Sequence, residues 1–132
     1  MGRAIAYYTA NCIPVLLPLN DTQKYDLAVD KDGMLQRVSV KTTQGLNKNG
    51  TYYVVQLKNC GGASGKSTIR KFDNTSCDIL FIVTIEGIMY EIPTSLVKVT
   101  GALTLTDEWN KYIVTLDWGT SAQEETFEVE AG

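Results

Sequence analysis

Residues 25–41 read Tyr-Asp-Leu-Ala-Val-Asp-Lys-Asp-Gly-Met-Leu-Gln-Arg-Val-Ser-Val-Lys, and this stretch decides the fold that the sequence predicts. After its centre, residues 37–41 alternate polar and apolar side chains, as β-strands with one buried face do, and before its centre residues 27–29 are apolar. At the centre, Asp32-Gly33 favours a type I′ turn, because both central positions of that turn need positive φ angles that Asp and Gly tolerate. The stretch therefore predicts a β-hairpin.

A two-residue turn at Asp32-Gly33 also fixes the register of the hairpin. It places Asp26 opposite Ser39 and makes Lys41 a diagonal neighbour on the same face, because side chains alternate with a period of two. The other face is apolar and carries Leu27, Val38 and Val40. We therefore expect one face to seal against a core while an acid, a hydroxyl and an ammonium converge on an accessible face.

This trio suits the hydrolysis of phosphodiesters. Such hydrolysis needs a divalent cation that neutralises developing charge and generates hydroxide, and Mg²⁺ prefers carboxylate, water and phosphate oxygens. Asp26 would supply a carboxylate, and Lys41 would orient the attacking water or stabilise the charged phosphorane. Asp and Lys are also common on the solvated face of an ordinary hairpin, so spacing alone leaves both interpretations open.

The identity of the residues in this segment adds to the evidence from their spacing. Tyr-Asp-Leu-Ala-Val-Asp followed by Arg-Val-Ser-Val-Lys-Thr-Thr resembles the PD-(D/E)XK nuclease superfamily, and specifically the small homing endonucleases associated with group I introns. Further similar segments are 51–55, 77–84 and 89–93, so the resemblance covers roughly residues 4 to 99. It implies an α/β fold with a small mixed β-sheet flanked by helices, a restriction endonuclease-like core.

By this resemblance Asp26 is the metal-binding acid, the Val40 carbonyl is a further metal ligand, and Lys41 is the catalytic lysine. The implied cofactor is Mg²⁺ or Mn²⁺, and the implied substrate is double-stranded DNA. Ser39 occupies the second motif position, where the family has Glu, Asp or Gln, and it is a shorter side chain and a poorer metal ligand. The family also tends to place an acid on the first helix, whereas no acid precedes Asp21 here. Either the N-terminus is shortened, or another acid substitutes, or the enzyme is weak or dead.

The charges are segregated along the chain. The net charge is -3, yet residues 37–71 contain seven basic side chains and no acid, whereas residues 107–132 contain seven acids and one lysine. Such segregation predicts a basic face that neutralises phosphates and an acidic face turned away from it, although a charge run is also typical of an ordinary solvated surface. The candidate DNA contacts are Arg37, Gln44, Lys48, Lys58, Lys66, Arg70 and Lys71.

Composition excludes several other classes. The chain has no histidine, which removes Ser-His-Asp and Cys-His catalysis and histidine-ligated zinc. Three cysteines without CxxC spacing indicate neither a disulfide framework nor a zinc site. Gly61 to Ser67 contains Gly-Lys-Ser but is one residue short of a P-loop. No apolar run reaches the length of a membrane span and no signal peptide is evident, so we expect a single domain over residues 1–132 and a cytoplasmic location.

The remaining elements follow from local patterns. We expect a helix over residues 3–11 with Asn11 as its C-cap, an edge strand or linker at 13–19, and strands at 52–58, 78–85 and 89–92. A flexible segment is expected at 59–76, a short helix near 93–95, a helix at 105–113 with Thr106 as its N-cap, and an edge strand at 126–130.

Aromatic side chains near the acidic end (Trp109, Tyr112 and Trp118, with Ile113) suggest a subunit interface. The resembling family forms homo-oligomers, and a small nuclease must present two sites to cut both strands, so we expect a dimer or tetramer. Three classes of function stay open at this stage: a site-specific double-strand DNA endonuclease, a catalytically impaired DNA-binding module of the same fold, and a structural or interaction protein.

Overall fold

A computed structural model describes residues 1–19, 25–60, 69–70 and 72–116, with the backbone alone at residues 44, 59, 60, 69 and 70. The chain begins with helix α1 (Gly2–Ala10). Ten strands follow it in chain order: β1 (Val15–Leu16), β2 (Leu27–Lys31), β3 (Met34–Leu46), β4 (Tyr53–Gln56), β5 (Asn59–Cys60), β6 (Ile69–Arg70), β7 (Ile79–Val83), β8 (Met89–Pro93), β9 (Ala102–Thr104) and β10 (Ile113–Val114). Two 3-10 helices, Thr94–Leu96 and Asp107–Tyr112, lie between the later strands.

The predicted hairpin is confirmed, and so is its register from Leu27 to Lys31. The expected pairing of Asp26 with Ser39 is not among the paired residues, because the ladder begins at Leu27 and the Asp26 amide bonds the Val38 carbonyl instead. Leu27 pairs with Val38 and Lys31 with Met34, which is the register that a turn at Asp32-Gly33 requires. Both turn residues have positive φ, 53° at Asp32 and 85° at Gly33. The Gly33 amide donates to the Asp30 carboxylate over 2.9 Å, which fixes the turn further. The first strand begins at Leu27, so Asp26 lies just before it.

The main sheet is mixed, as predicted. Its strand order is β1-β2-β3-β7-β8-β10, and β3 runs parallel to β7 while the other neighbours along this path are antiparallel. The register of β3 shifts between Thr43 and Gly45, and the end of β3 pairs with β4, which in turn pairs with β9. β5 and β6 form a separate two-stranded sheet inside the segment that we expected to be flexible.

Both faces of the main sheet are covered by apolar side chains. Helix α1 packs Ala4 and Tyr8 on one face, against Leu27, Val29, Val38, Ile79, Phe81, Val83 and Met89. The other face carries a second cluster that includes Leu80, Ile82, Ile92, Val55, Leu57, Val97 and Leu103. All five residues of β7 are buried, because alternate side chains serve alternate clusters. This explains the near-continuous apolar run at this strand.

The expectation of flanking helices is only partly met. In the described ranges, α1 is the one α-helix; it ends at the Asn11 C-cap, whose side chain donates to the Tyr7 carbonyl over 2.8 Å. The helix predicted at 105–113 is wrong as an α-helix. The Leu105 amide, just after β9, donates to the Tyr53 carbonyl, and Asp107–Tyr112 forms a 3-10 helix after Thr106. Tertiary pairing with β4 therefore overrides the local helical pattern. The edge strand predicted at 126–130 and the aromatic Trp118 lie outside the described residues.

One ionic cluster joins the helix to the sheet. The Tyr8 hydroxyl donates to Glu91 Oε2 over 2.6 Å, and Lys31 Nζ lies 2.9 Å from the same oxygen. Tyr8 is fully buried, and both burial and the neighbouring Glu91 carboxylate raise the pKa of its phenol. The phenol therefore stays protonated and acts as a donor to a carboxylate that is only 17% exposed.

We predict that Tyr8→Phe lowers the free energy of unfolding by about 1–3 kcal/mol, because it removes a donor from a largely buried carboxylate. Tyr7→Phe is the matched control: Tyr7 packs against the rings of Tyr8 and Phe81, but the Glu91 bond belongs to Tyr8. Urea denaturation of both variants and the parent chain measures the difference. Equal losses in the two variants would show that the Glu91 bond contributes nothing.

Candidate active site

Asp26 is anchored to the strand that carries the other candidate residues. Its amide donates to the Val38 carbonyl over 2.9 Å, and its carboxylate Oδ2 accepts the Val40 amide over 2.6 Å. The side chain therefore takes the place of a strand partner where the β2 ladder ends. Asp26 is nevertheless exposed. Its carboxylate is held in position without being buried, and its remaining lone pairs can accept a ligand.

The Val40 carbonyl points to the same edge as Asp26. In a β-strand the N–H and C=O groups of one residue point to the same neighbouring strand. The Val40 N–H bonds the Asp26 carboxylate, so the Val40 C=O also points to the β2 side, beyond the end of that strand. A carboxylate and a main-chain carbonyl are thus presented along one edge of β3. These are hard oxygen donors of the kind that bind Mg²⁺, which commonly takes one or two protein carboxylates and completes its shell with water and substrate phosphate.

Ser39 and Lys41 lie on the sheet face opposite helix α1. Ser39 pairs with Leu80 and Lys41 with Ile82, and both apolar partners belong to the second cluster. The expectation that this whole face is accessible is wrong for Ser39, which is only 6% exposed because the second cluster covers it. Lys41 is half-buried. The structure thus brings Asp26 next to Val40, which neighbours Lys41 in β3, whereas Ser39 is buried.

Arg37 is engaged within the protein. Its Nε lies 3.3 Å from Asp78 Oδ2, and its Nη2 donates to the Thr75 carbonyl over 3.1 Å. Two further bonds involve the Arg37 backbone: its amide donates to the Asp78 carboxylate, and its carbonyl accepts the Asp78 amide. Hydrogen bonds from the Arg37 amide and guanidinium hold the pKa of the Asp78 carboxyl below its ordinary 3.8. This arrangement fixes β3 against the start of β7.

The other candidate DNA contacts are distributed over loops. Lys48 is exposed in the loop between β3 and β4, which Asn47 organises by accepting the Thr51 amide over 2.9 Å. Lys58 is exposed, and its side chain crosses Gly101, where a Cβ would come within 3.0 Å of Lys58 Cε. Gln44 lies at the register shift of β3 and Arg70 lies in β6, both described by backbone alone. Lys66 and Lys71 lie outside the described residues.

Sequence reasoning missed Glu91. This acid interrupts the apolar strand β8, and that interruption was the available signal. The register places Glu91 opposite Phe81, and Phe81 opposite Val40. Glu91 and Val40 are therefore two strands apart, which corresponds to roughly 10 Å. With Phe81 it lies on the helix side of the sheet, where Tyr8 and Lys31 hold it. Its contacts give it a structural role. No group of three or more His, Cys, Asp or Glu side chains arranged to hold a metal occurs among the described residues.

Comparison with known proteins identifies the class to which this fold and site belong. The sequence model of the PD-(D/E)XK endonucleases matches residues 2–110, so the chain belongs to the PD-(D/E)XK endonuclease family. Nucleases of this family bind DNA and generally use divalent metal ions.

Among solved structures, the chain is similar to a bacterial homing endonuclease, I-Ssp6803I, with a TM-score of 0.68 and 22% sequence identity. The match covers 98% of this chain and 89% of the other, and it confirms the fold. No curated protein matches the chain significantly. In the described part of the chain, no helix is long and apolar enough to span a membrane.

We predict that Asp78→Asn destabilises the protein at pH 7 but not in acid. Because the pKa of Asp78 is lower in the folded than in the unfolded chain, its ionic contribution is present above the unfolded value and is lost as the pH falls through the folded value. The pair is exposed, so we expect a loss of at most about 1 kcal/mol. Urea denaturation between pH 2 and pH 7 measures it. Asp32→Asn at the hairpin turn is the control, and a pH-independent difference at Asp78 would contradict the ionic role.

Proposed function

We propose that this nuclease is a site-specific, metal-dependent endonuclease of the homing type that cuts both strands of DNA. The observation that carries the proposal is the bond between the Asp26 carboxylate and the Val40 amide, because it aligns two oxygen donors at the edge of β3 beside Lys41. The family match supports the phosphodiesterase chemistry, and the likeness to a structure described as a bacterial homing endonuclease supports the homing type. Association with a group I intron and a cytoplasmic location stay predictions.

The donor set fits a divalent cation such as Mg²⁺ or Mn²⁺. The Asp26 carboxylate and the Val40 carbonyl would hold the ion, with DNA phosphate and water as the remaining ligands. When bound, such an ion lowers the pKa of water and neutralises charge on the phosphate.

Each protein group has a separate role in this proposal. The Asp26 carboxylate is kept in place by the Val40 amide, so little conformational freedom is lost when a ligand binds. The Lys41 ammonium donates to the attacking water or to the phosphate oxygens on which negative charge develops. The Ser39 hydroxyl is buried, and this neutral side chain lies on the same face of the sheet as the apolar second cluster. Lys48 and Lys58, both exposed, contact the DNA backbone.

We predict that Asp26→Asn and Lys41→Ala each reduce DNA cleavage at least about 100-fold, because each removes a group that acts on the reacting phosphate. The purified chain is incubated with mixed-sequence plasmid and long genomic DNA in Mg²⁺ or Mn²⁺. The matched control is Asp32→Asn. Asp32 lies at the turn of the same hairpin, away from Val40, so this variant should cut DNA as the parent does. Discrete cuts that persist in Asp26→Asn would contradict the assignment.

A catalytically impaired DNA-binding module is the second candidate. It is favoured by Ser39, a buried hydroxyl at the position where the family has a longer polar or acidic side chain, and by the absence of a three-acid cluster among the described residues. Such a module would keep the basic surface and bind DNA without cutting it.

DNA affinity should depend on salt whichever candidate is right. Each lysine that neutralises a phosphate contributes a slope of about -0.9 in log K against log salt concentration. We therefore predict that Lys48→Ala and Lys58→Ala each weaken binding and reduce the slope by about one, as fluorescence anisotropy with duplex DNA between 50 and 200 mM salt would measure. Lys31→Ala is the control, because Lys31 is paired with Glu91. An unchanged slope would remove these lysines from the DNA surface.

We further propose that the nuclease assembles into a dimer or tetramer, since cutting both strands requires two sites. The interface predicted from Trp109, Tyr112, Ile113 and Trp118 stays a prediction. Edge strand β1 and the residue after it offer further apolar surface for this purpose, with Leu16 46% and Leu17 56% exposed. Large exposed apolar side chains next to each other are typical of interaction surfaces.

A further inference from the structure

Arg3 is an exposed cation that is not among the candidate DNA contacts predicted from the sequence. It lies in the first turn of helix α1. Its guanidinium rests on Gly87, where a Cβ would lie 3.2 Å from Arg3 Nη1, 3.5 Å from Cζ and 3.6 Å from Nη2. Gly87 has a φ of 94°, a conformation that glycine adopts without strain. A turn without a side chain thus leaves room for the guanidinium beside it.

The turn that carries Gly87 lies at the same end of the main sheet as the candidate active site. It follows β7, whose last residue, Val83, is one strand and two residues away from Val40, or roughly 8 Å. The Ile85 amide in this turn donates to the Thr43 hydroxyl over 3.2 Å. The turn is therefore bonded to β3 just beyond the residues that we propose for catalysis.

The candidate metal ligands and Arg3 are connected along the helix side of the sheet. Val40 and Val83 both pack on the cluster that contains helix α1. Thr42 follows Val40 on the same face, because side chains alternate along a strand, and it is exposed. A DNA strand with one phosphate at the Val40 carbonyl could therefore pass an exposed hydroxyl and then an exposed guanidinium.

The stability of the protein does not account for the charge of Arg3. A cation in the first turn of a helix is unfavourable next to the positive end of the helix macrodipole. Among the described residues, no carboxylate lies within ion-pair distance of Arg3. The acid in the turn, Glu86, hydrogen-bonds the Tyr53 phenol and raises its pKa, and Tyr53 packs on the second cluster, on the other face of the sheet. The guanidinium can therefore serve an external anion.

We propose that Arg3 binds a DNA backbone phosphate within a few nucleotides of the phosphate that is cut. This inference rests on the proposed function, which places the cut at Asp26 and Val40. An arginine can donate two parallel N–H bonds to one phosphate, and phosphate contacts fix the register of a protein on a duplex. Arg3 is thus a positioning residue, which holds the substrate strand on the nuclease without acting on the bond that breaks.

The salt dependence of DNA binding by Arg3→Gln tests the proposal. Loss of one phosphate contact should reduce the slope of log K against log salt concentration by about 0.9 and weaken binding about eightfold at 100 mM salt. Arg3→Lys keeps the charge and should keep the slope. Lys31→Gln is the matched control, because Lys31 lies at the end of β2 remote from Asp26 and is paired with Glu91. Fluorescence anisotropy with duplex DNA measures all three variants beside the parent.

Cleavage kinetics separate a positioning role from a catalytic one. Arg3→Gln should cut at the rate of the parent when DNA is saturating and about eightfold more slowly when DNA is limiting. The reason is that a contact made equally before and during the reaction changes KM and leaves kcat unchanged. A lowered kcat with KM unchanged would overturn the positioning role.

The binding data can overturn the proposal independently of cleavage. Unchanged affinity and slope in Arg3→Gln would do so, as would an equal loss in Arg3→Lys or in Lys31→Gln. If the parent binds DNA without cutting it, the proposed nuclease function fails, and the slope of Arg3→Gln still decides whether Arg3 contacts a phosphate. A parent chain that does not bind DNA would overturn both proposals.

Discussion

Parallel pairing of β3 with β7 is the constraint on which the rest of the structure depends. β7 is buried on both sides, so its five residues contribute alternately to the helix-side cluster and to the opposite cluster. Pairing from Val38↔Ile79 to Thr42↔Val83 then determines which β3 side chains face which cluster. A shift of one residue would exchange the two sets. The Arg37–Asp78 bonds secure this register at the point where the two strands first meet.

The candidate active site is a consequence of where strand pairing stops. β3 extends beyond the end of β2, so main-chain groups from Val40 onward no longer have a β2 partner on that side. One of these groups, the Val40 amide, donates to the Asp26 carboxylate. This single bond places the carboxylate next to the Val40 carbonyl, on the strand that also carries Lys41. The same strand presents Ser39 to the opposite cluster, where a charged side chain would need a partner. A hydroxyl at this position is therefore compatible with the core while offering a metal little.

The acid that we propose as a metal ligand and the acid of the ionic cluster lie in different surroundings. Asp26 lies exposed at an edge, whereas Glu91 lies on the helix side, neutralised by Lys31 and bonded to Tyr8. The two carboxylates therefore differ in what they can bind, although in the sequence each is an acid beside apolar strand residues. The chain belongs to the PD-(D/E)XK family, and the exposure of Asp26 is the reason that we propose it, and not Glu91, as the metal-binding acid.

Local signals in the sequence are sufficient for the hairpin, its turn and its register, because Asp32-Gly33 and the alternation of apolar side chains act over a few residues. They are also sufficient for the buried strand β7, since an uninterrupted apolar run needs apolar partners on both sides. The resemblance of residues 25–41 to a nuclease family singles out Asp26 and Lys41 from the sequence alone. Tertiary contacts, by contrast, bury Ser39, bond Arg37 to Asp78, and make residues 102–104 a strand and residues 107–112 a 3-10 helix. Each of these depends on residues distant in the chain, whose contacts no local pattern records.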